Sequence, residues 1–422
     1  MIKLYCIYLR LTPTEVKKMF QKDFKPVLRF FVVSDVHYPD EHSIEYDRMK
    51  RAIELAYEEA EKTDYKKIDA LYVVGDFATS GTEKQMLAFK KTLDEGIREG
   101  TEVTLMIASH EFHCEGGEPV ALERFTRIFN CEPDAHKVIN GFHFISETTT
   151  RGCNFDDAKI EYAAKELKAA REAAPEKPIF FFQHPHISDT VYGSINWGDD
   201  ALYSTLMNYP QVIDFSGHSH APINDPRSIH QKHFTSLGTG SLSYFELDEF
   251  DKHYGTLPPD KAQCAQMLFV EADAENRVRI YPYDILTENF FPYVWEIDEP
   301  CNPKSFKYTD KRYKTDKAPY FTDDFKAEFS DITSNGFTFT FTQAKSDEDY
   351  VNDYKVTVKE KATGLIVSQK VLWSGFYLYN MPEKLSVSFD GLKPSTEYTV
   401  ELCAGSFWKT VSDDVILETE TK

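Results

Sequence analysis

From about Phe24 to Asp284 short β-rich runs alternate with amphipathic stretches of helical period, and from Phe337 onward the helical period is gone and period-two runs replace it. Alternating strand and helix patterns build a sheet covered by helices, whereas period-two runs separated by turns build a sandwich of strands. The switch therefore predicts two domains of different class, in keeping with a length of 422 residues, too great for one ordinary core. The expected boundaries are an α/β domain over 24–290, a linker or strap over 291–324 that is rich in Pro, Tyr, Lys and Asp, and a small all-β sandwich over 325–422.

In the first domain the predicted strands end where charged residues begin. Leu28 to Ser34 leads into Asp35, Ala70 to Val74 into Gly75 and Asp76, and Val103 to Ala108 into Ser109 and His110. Ile179 to Phe182 leads into Gln183 and His184, and Val212 to Ser216 into Gly217 and His218. Between them Tyr46 to Glu61, Thr82 to Arg98 and Asp156 to Ala174 space apolar residues by three and four among many charges, as surface helices do. Phe269 to Glu271 and Val278 to Tyr283 read as a closing hairpin. The period-two runs of the second domain are Gly336 to Thr342, Asp353 to Val358, Leu385 to Phe389 and Tyr398 to Leu402, which suits a sandwich of about seven strands.

Composition excludes some functions. Asp and Glu outnumber Lys and Arg by 69 to 48, and a formal charge of −21 repels a phosphate backbone, so nonspecific nucleic-acid binding is not expected. Phosphate chemistry stays open, because bound divalent ions reverse the field inside a site. The seven cysteines, Cys6, Cys114, Cys131, Cys153, Cys264, Cys301 and Cys403, are odd in number and lack CxxC spacing, which predicts reduced thiols. The opening MIKLYCIYLRLTP, with a short apolar run broken by Arg10, is a poor signal peptide; it predicts a cytoplasmic protein, with export as the alternative. No run approaches the ~20 apolar residues of a membrane span.

Five clusters stand at the predicted strand ends: Asp35-Val-His37, Gly75-Asp76, Ser109-His110-Glu111, His184-Pro-His186 and Gly217-His218-Ser-His220. A lone Asp or His after a strand is more often a cap or a satisfied polar residue than a functional one. Together, Asp35, His37, Asp76, His184, His218 and His220 would crowd one sheet edge with poorly solvated polar groups, a conflict that two divalent ions resolve. Mixed carboxylate and imidazole donors suit Mn, Fe, Zn or Ni rather than Ca or Mg, and a carboxylate such as Asp76 can bridge two ions. The glycines before Asp76 and His218 permit tight turns and close backbone approach.

This order of motifs resembles the calcineurin-like metallophosphoesterase superfamily, whose pattern is D-x-H, G-D, G-N-H-[ED], H and G-H-x-H, over roughly Pro26 to Asp284. The resemblance implies a metallophosphoesterase β-sandwich flanked by helices. It also implies that Asp35, His37 and His220 hold one metal, that Asp76 bridges, that His184 and His218 hold the other, and that His110 sits beside the substrate phosphate to stabilise or protonate the leaving group. A hydroxide shared by both metals then attacks phosphorus in line. One position departs from the pattern: Ser109 stands where the family has Asn, and its shorter, weaker hydroxyl is expected to ligate the second ion less well, directly or through water. Thr79 stands where purple acid phosphatases carry a Tyr three residues after the bridging Asp, which disfavours that branch.

The remaining candidates carry less. His186 either points to the opposite face of its strand or lines the pocket, and Asp189 to Trp197 reads as a polar lid or substrate wall. His113 and Cys114 read as a surface histidine and an inert thiol, and Leu237 to Ser241 lacks the Lys of a phosphate loop. Asp390 to Leu402, with Tyr398, resembles a fibronectin type III domain, in which such a Tyr forms a tyrosine corner. That domain either packs as a generic immunoglobulin-like sandwich or contacts a protein or glycan, with Trp373, Tyr377, Tyr379 and Trp408 as candidate surface aromatics. The expected function is two-metal hydrolysis of a small phosphate ester, a phosphodiester before a phosphomonoester, with cyclic nucleotides as one candidate. The rival is a catalytically weakened phosphate or sugar-phosphate binding protein with an adhesive sandwich.

Overall fold

The computed structural model describes residues 23–40, 42–248 and 254–422, so Cys6 and the reading of the N-terminus lie outside the described residues. The chain divides into a unit ending at Thr309 and a second unit beginning at Asp310.

Two large sheets build the first unit, with two short two-stranded pairs beside them. One runs in the order Asn289–Phe290, Val278–Asp284, Gln266–Asp273, Pro26–Val33, Ala70–Val74, Glu102–Met106, with Trp295–Ile297 also paired to Val278–Asp284. The other runs Ile229–Gln231, Thr235–Gly238, Val212–Ser216, Ile179–Phe182, Phe142–Ser146, Ala135–Ile139. Central strands are parallel, as Phe31 opposite Leu71 and Phe181 opposite Asp214 show, so their C-terminal ends come out along the same edge of each sheet. Aromatic rings join the sheets face to face: Phe30 of the first meets Phe144 and Phe180 of the second at 5.1 and 4.9 Å, and Tyr72 stacks on Phe182 at 3.9 Å. Such pairs add about 0.5–1.5 kcal/mol each beyond their buried area.

Helices cover the outer faces. Ile44–Glu61, Glu83–Gly96 and Gly117–Phe129 pack Met49, Ile53, Met86, Phe89 and Phe125 on the first sheet. Asp157–Ala173 packs Ala163, Leu167 and Ala170 on the second. Their starts are legible locally, since Ser43, Thr82 and Asp156 each accept a backbone N–H three residues on, a cap that contributes about 1 kcal/mol. Among the described residues no helix is long and apolar enough to cross a membrane.

Several elements depart from the sequence reading. The stretch 291–324, expected as linker or strap, contains the strand Trp295–Ile297, and the backbone N–H groups of Lys307 and Tyr308 donate to Gln231 Oε1 at 2.8 and 3.0 Å. Its first half is therefore part of the sheet unit, held by pairing too short to show a period. The helix Gly117–Phe129 was not anticipated because Gly116, Gly117 and Pro119 punctuate its start, and Ala135–Ile139 was not because it is an edge strand without alternation.

In the second unit Ala327–Ser330, Phe337–Thr342 and Lys384–Phe389 form one antiparallel sheet. Ile366–Trp373, Asp353–Glu360, Glu397–Gly405 and Val415–Glu420 form the other. Alternation does the folding here: Phe337, Phe339 and Phe341 point into the core while the intervening Thr residues are half-exposed. Tyr398 is buried, and its hydroxyl accepts the Lys393 N–H at 2.8 Å, forming the corner expected of it. Tyr377 and Trp408 are buried rather than surface aromatics, and Trp408 Nε1 donates to Asp349 Oδ2 at 2.8 Å.

Candidate metal centre

Beyond their hydrogen-bonded ends the parallel strands continue as paired irregular segments. Asp35 N donates to Gly75 O, His37 N to Asp76 O and Tyr38 N to Phe77 O at 3.3, 3.0 and 2.9 Å, so the first two motifs lie side by side. Asp35, His37, Asp76, His218 and His220 all have positive φ, between 48° and 72°. A left-handed backbone at five non-glycine residues is a concentration of strain of the kind found at functional sites. Gly75 and Gly217 allow the close approach: a Cβ on Gly75 would lie 2.6 Å from His184 Nδ1, and one on Gly217 2.5 Å from Asp35 Oδ2.

Each carboxylate is aimed by neighbours. Asp35 accepts from the Ser34 hydroxyl and from His218 N, the latter at 3.1–3.2 Å. The Asp35 carbonyl accepts from the hydroxyls of Ser241 and Ser243 at 3.2 and 3.0 Å, which gives the glycine-containing loop after Leu237 a supporting role. Asp76 accepts from His110 N at 2.9 Å and from Ser109 Oγ at 3.0 Å. Glu111, fully buried, accepts from Asp76 N, Ala78 N and Ala108 N at 3.2, 2.7 and 2.9 Å, clamping the second motif to the third.

Three histidines spend Nδ1 on backbone carbonyls, which can only accept: His184 on Val74 O at 2.8 Å, His220 on Tyr244 O at 3.0 Å and His110 on Thr79 O at 3.0 Å. That fixes Nδ1 as the protonated nitrogen and turns a lone pair at Nε2 inward. The inward atoms meet one another. His37 Nε2 lies 3.0 Å from His220 Nε2, and Asp35 Oδ1 lies 3.4 Å from His220 Nε2. His184 Nε2 lies 3.0 Å from Asp76 Oδ2 without the alignment of a hydrogen bond, and is a buried nitrogen with no hydrogen-bond partner. Three groups of donor atoms result, Asp35 with His37 and His220, Asp76 with His184 and His218, and His37 with Asp76 and His110.

The electrostatics are those of a site short of positive charge. Burial and the neighbouring Asp76 push Asp35 up to about 7, with His184 and hydrogen bonds opposing. Burial drives His218 and His220 down to about 3, so both are neutral and ready to ligate. Burial alone would lower His184 too, but Asp76 raises it to about 10, a measure of how strongly the neighbouring carboxylate calls for positive charge here. Divalent ions fit this donor set, because they would satisfy the bare His184 nitrogen and separate the facing His37 and His220 nitrogens.

Among the predicted residues, Asp35, His37, Asp76, His184 and His220 are buried, whereas Ser109, His110 and His218 are half-buried and mark the open side. His186 does not line the pocket: its nitrogens bond Ser216 Oγ and Ser219 Oγ, both at 2.7 Å. Cys114 is buried and His113 exposed, as the sequence reading has them. Trp197, in the loop read as a substrate wall, meets the His218 ring edge-to-face at 5.0 Å. Sequence reasoning did not single out Tyr244, stacked on His220 at 4.1 Å, or Cys153, whose Sγ lies 3.3 Å from His218 Nε2. Both come from loops outside the motifs, where no local pattern signals them.

Residues 28–222 match the family described as calcineurin-like phosphoesterase, and residues 324–415 match the fibronectin type III domain. No curated protein matches the chain. Among solved structures, the purple acid phosphatase PPD1 from yellow lupin (Lupinus luteus) seeds is 15% identical over 64% of this chain and 53% of its own, with a TM-score of 0.48. The chain thus spans about half the length of that structure. A fibronectin type III domain of human collagen XX is 17% identical over 25% of this chain and 94% of its own, with a TM-score of 0.19.

Proposed function

Through residues 28–222 the chain belongs to the calcineurin-like phosphoesterases, and on that premise we propose that this metal-dependent phosphoric ester hydrolase cleaves phosphodiesters, with cyclic nucleotides as one candidate class. The observation that carries the reading is the set of three donor clusters, two of which share Asp76, opening past Ser109, His110 and His218. In it, Asp35, His37 and His220 would hold one divalent ion, His184, His218 and Ser109 the other, and Asp76 would reach both. When bound, such ions supply an acidified attacking water and neutralise charge developing on the phosphoryl oxygens.

The chain's own groups supply the rest. His110, its Nδ1 given to Thr79 O, leaves Nε2 for a leaving-group oxygen at the half-buried side of the site. Glu111 holds the backbone of Asp76 and Ala108 in place, so the bridging carboxylate and the His110 loop move as one piece. The rings of Trp197 and Tyr244 flank the two ligand pairs and offer apolar surface to an ester group, which favours a diester over a monoester dianion.

Turnover of the metal-reconstituted chain on bis(p-nitrophenyl) phosphate, p-nitrophenyl phosphate and cyclic nucleotides tests this. The diester kcat/KM is expected to exceed the monoester value by about tenfold or more. A monoester preference overturns the diester reading.

A further inference from the structure

Ser109 leaves a gap in the pattern of donors, and a thiol stands next to it. The short segment 149–156 is built to present that thiol: Thr149 Oγ1 donates to Gly152 O at 2.7 Å, Thr150 N to Asn154 O at 2.9 Å, and Asn154 Nδ2 to Asp199 Oδ2 at 3.0 Å. Cys153 Sγ then lies 3.3 Å from His218 Nε2. The perimeter closes on the other side, where Ser109 Oγ is 3.0 Å from Asp76 Oδ2, which is 3.0 Å from the buried, unpartnered His184 Nε2. Asp76, His184 and His218 form the tight donor cluster, and Cys153 Sγ adjoins it through His218.

Resting on the two-ion reading above, we infer that Cys153 is a thiolate ligand of the second ion, completing the shell that the short Ser109 hydroxyl fills only weakly. The distance is right for two donors on one ion: bonds of about 2.3 Å to sulfur and 2.0–2.1 Å to nitrogen at a tetrahedral angle put the donors about 3.5 Å apart. The thiol proton leaves to water as the ion binds. A sulfur donor makes the second position softer than the first, so it selects Zn, Fe or Co over Mn.

The test uses the full chain, stripped of metal under reducing conditions and titrated with Co²⁺, whose thiolate complexes show near-ultraviolet charge-transfer absorption that nitrogen and oxygen ligands do not give. The wild-type chain is expected to bind two equivalents, with that band growing during the second. Cys153→Ala should keep the first equivalent, lose the band and weaken the second equivalent by at least about tenfold. The double variant Ser109→Asn, Cys153→Ala should recover second-ion binding without the band, which a merely misfolded loop would not do. Two equivalents bound with no band, or a band that survives in Cys153→Ala, overturns the assignment while leaving the two-ion reading intact. Failure of the wild-type chain to bind a second equivalent overturns both.

Discussion

The two units bury different things. The sandwich core is Phe337, Phe339, Phe341, Tyr354, Val356, Val358, Tyr398, Val400 and Leu402, and its buried tyrosine hydroxyls are partnered: Tyr354 OH accepts from Ala344 N at 2.7 Å and Tyr398 OH from Lys393 N at 2.8 Å. The first unit buries Asp35, Asp76, Glu111, Glu147, His184 and Asp214 to 1% exposure or less. Both Glu147 carboxylate oxygens lack a hydrogen-bond partner, and burial raises that group to about 9. A core like the sandwich's is complete once folded, because apolar burial needs no further partner. The strand ends of the first unit hold carboxylates and imidazole lone pairs that divalent ions would satisfy, which would tie the stability of that edge to its chemistry.

Removing the carboxylate proposed to reach both ions should break the contrast most sharply. Asp76→Asn is expected to lower metal per chain and to cut kcat by about 10²–10³-fold or more, with the sandwich untouched. Elemental analysis showing unchanged metal content would defeat the placement of Asp76 between two ions.

The converse substitution is Phe339→Ala, which empties a fully buried ring position in the sandwich. It should cost about 3–5 kcal/mol of that unit's stability and leave turnover of the folded chain in place. A chain ended at Ala318 should likewise keep its activity, checked by turnover alongside circular dichroism. Loss of activity in either folded protein would show that the sandwich helps build the site.

Asp214 offers a pH test away from the ligands. It is fully buried on the strand Val212–Ser216, where burial raises it from 3.8 to about 8 against a weak pull from the Gln183 amide at 3.2 Å. The folded state therefore holds its proton more tightly than the unfolded state. Its contribution to stability is full below about 3.8 and is lost as pH rises through about 8. Asp214→Asn, neutral at every pH, should remove that share of the decline in denaturation midpoints between those values and leave metal content unchanged. An identical pH slope in the two proteins would mean that Asp214 is ionised in the fold.

The smallest effect belongs to the tyrosine corner. Tyr398→Phe leaves the Lys393 N–H without its partner and should cost about 1 kcal/mol in a sandwich unfolding transition, with no change in kcat/KM.

Much of this molecule is legible along the chain. Ala70–Val74, Ile179–Phe182 and Val212–Ser216 coincide with the apolar runs that predict them, and the helices begin at the caps Ser43, Thr82 and Asp156. Asp35, His37, Asp76, Ser109, His110, His184, His218 and His220 stand out in the sequence as candidates because parallel strands deliver the residues that follow them to one edge, and residue type after a strand is a local property. Other features have no local signature. His186 has the same chemistry as His184 two residues earlier, yet only the facing Ser216 and Ser219 show that both its nitrogens are satisfied. Trp295–Ile297 joins the sheet because Val278–Asp284 offers it an unpaired edge, which the Pro- and Tyr-rich stretch does not reveal. Cys153 and Tyr244 reach the centre from loops 65 and 24 residues distant from the histidines they touch. Sequence by itself determined period, caps and donor types, since these follow from neighbours three or four residues apart. Tertiary structure decided which donors meet, because contact between distant loops depends on how two sheets pack, and no repeat in the chain encodes that distance.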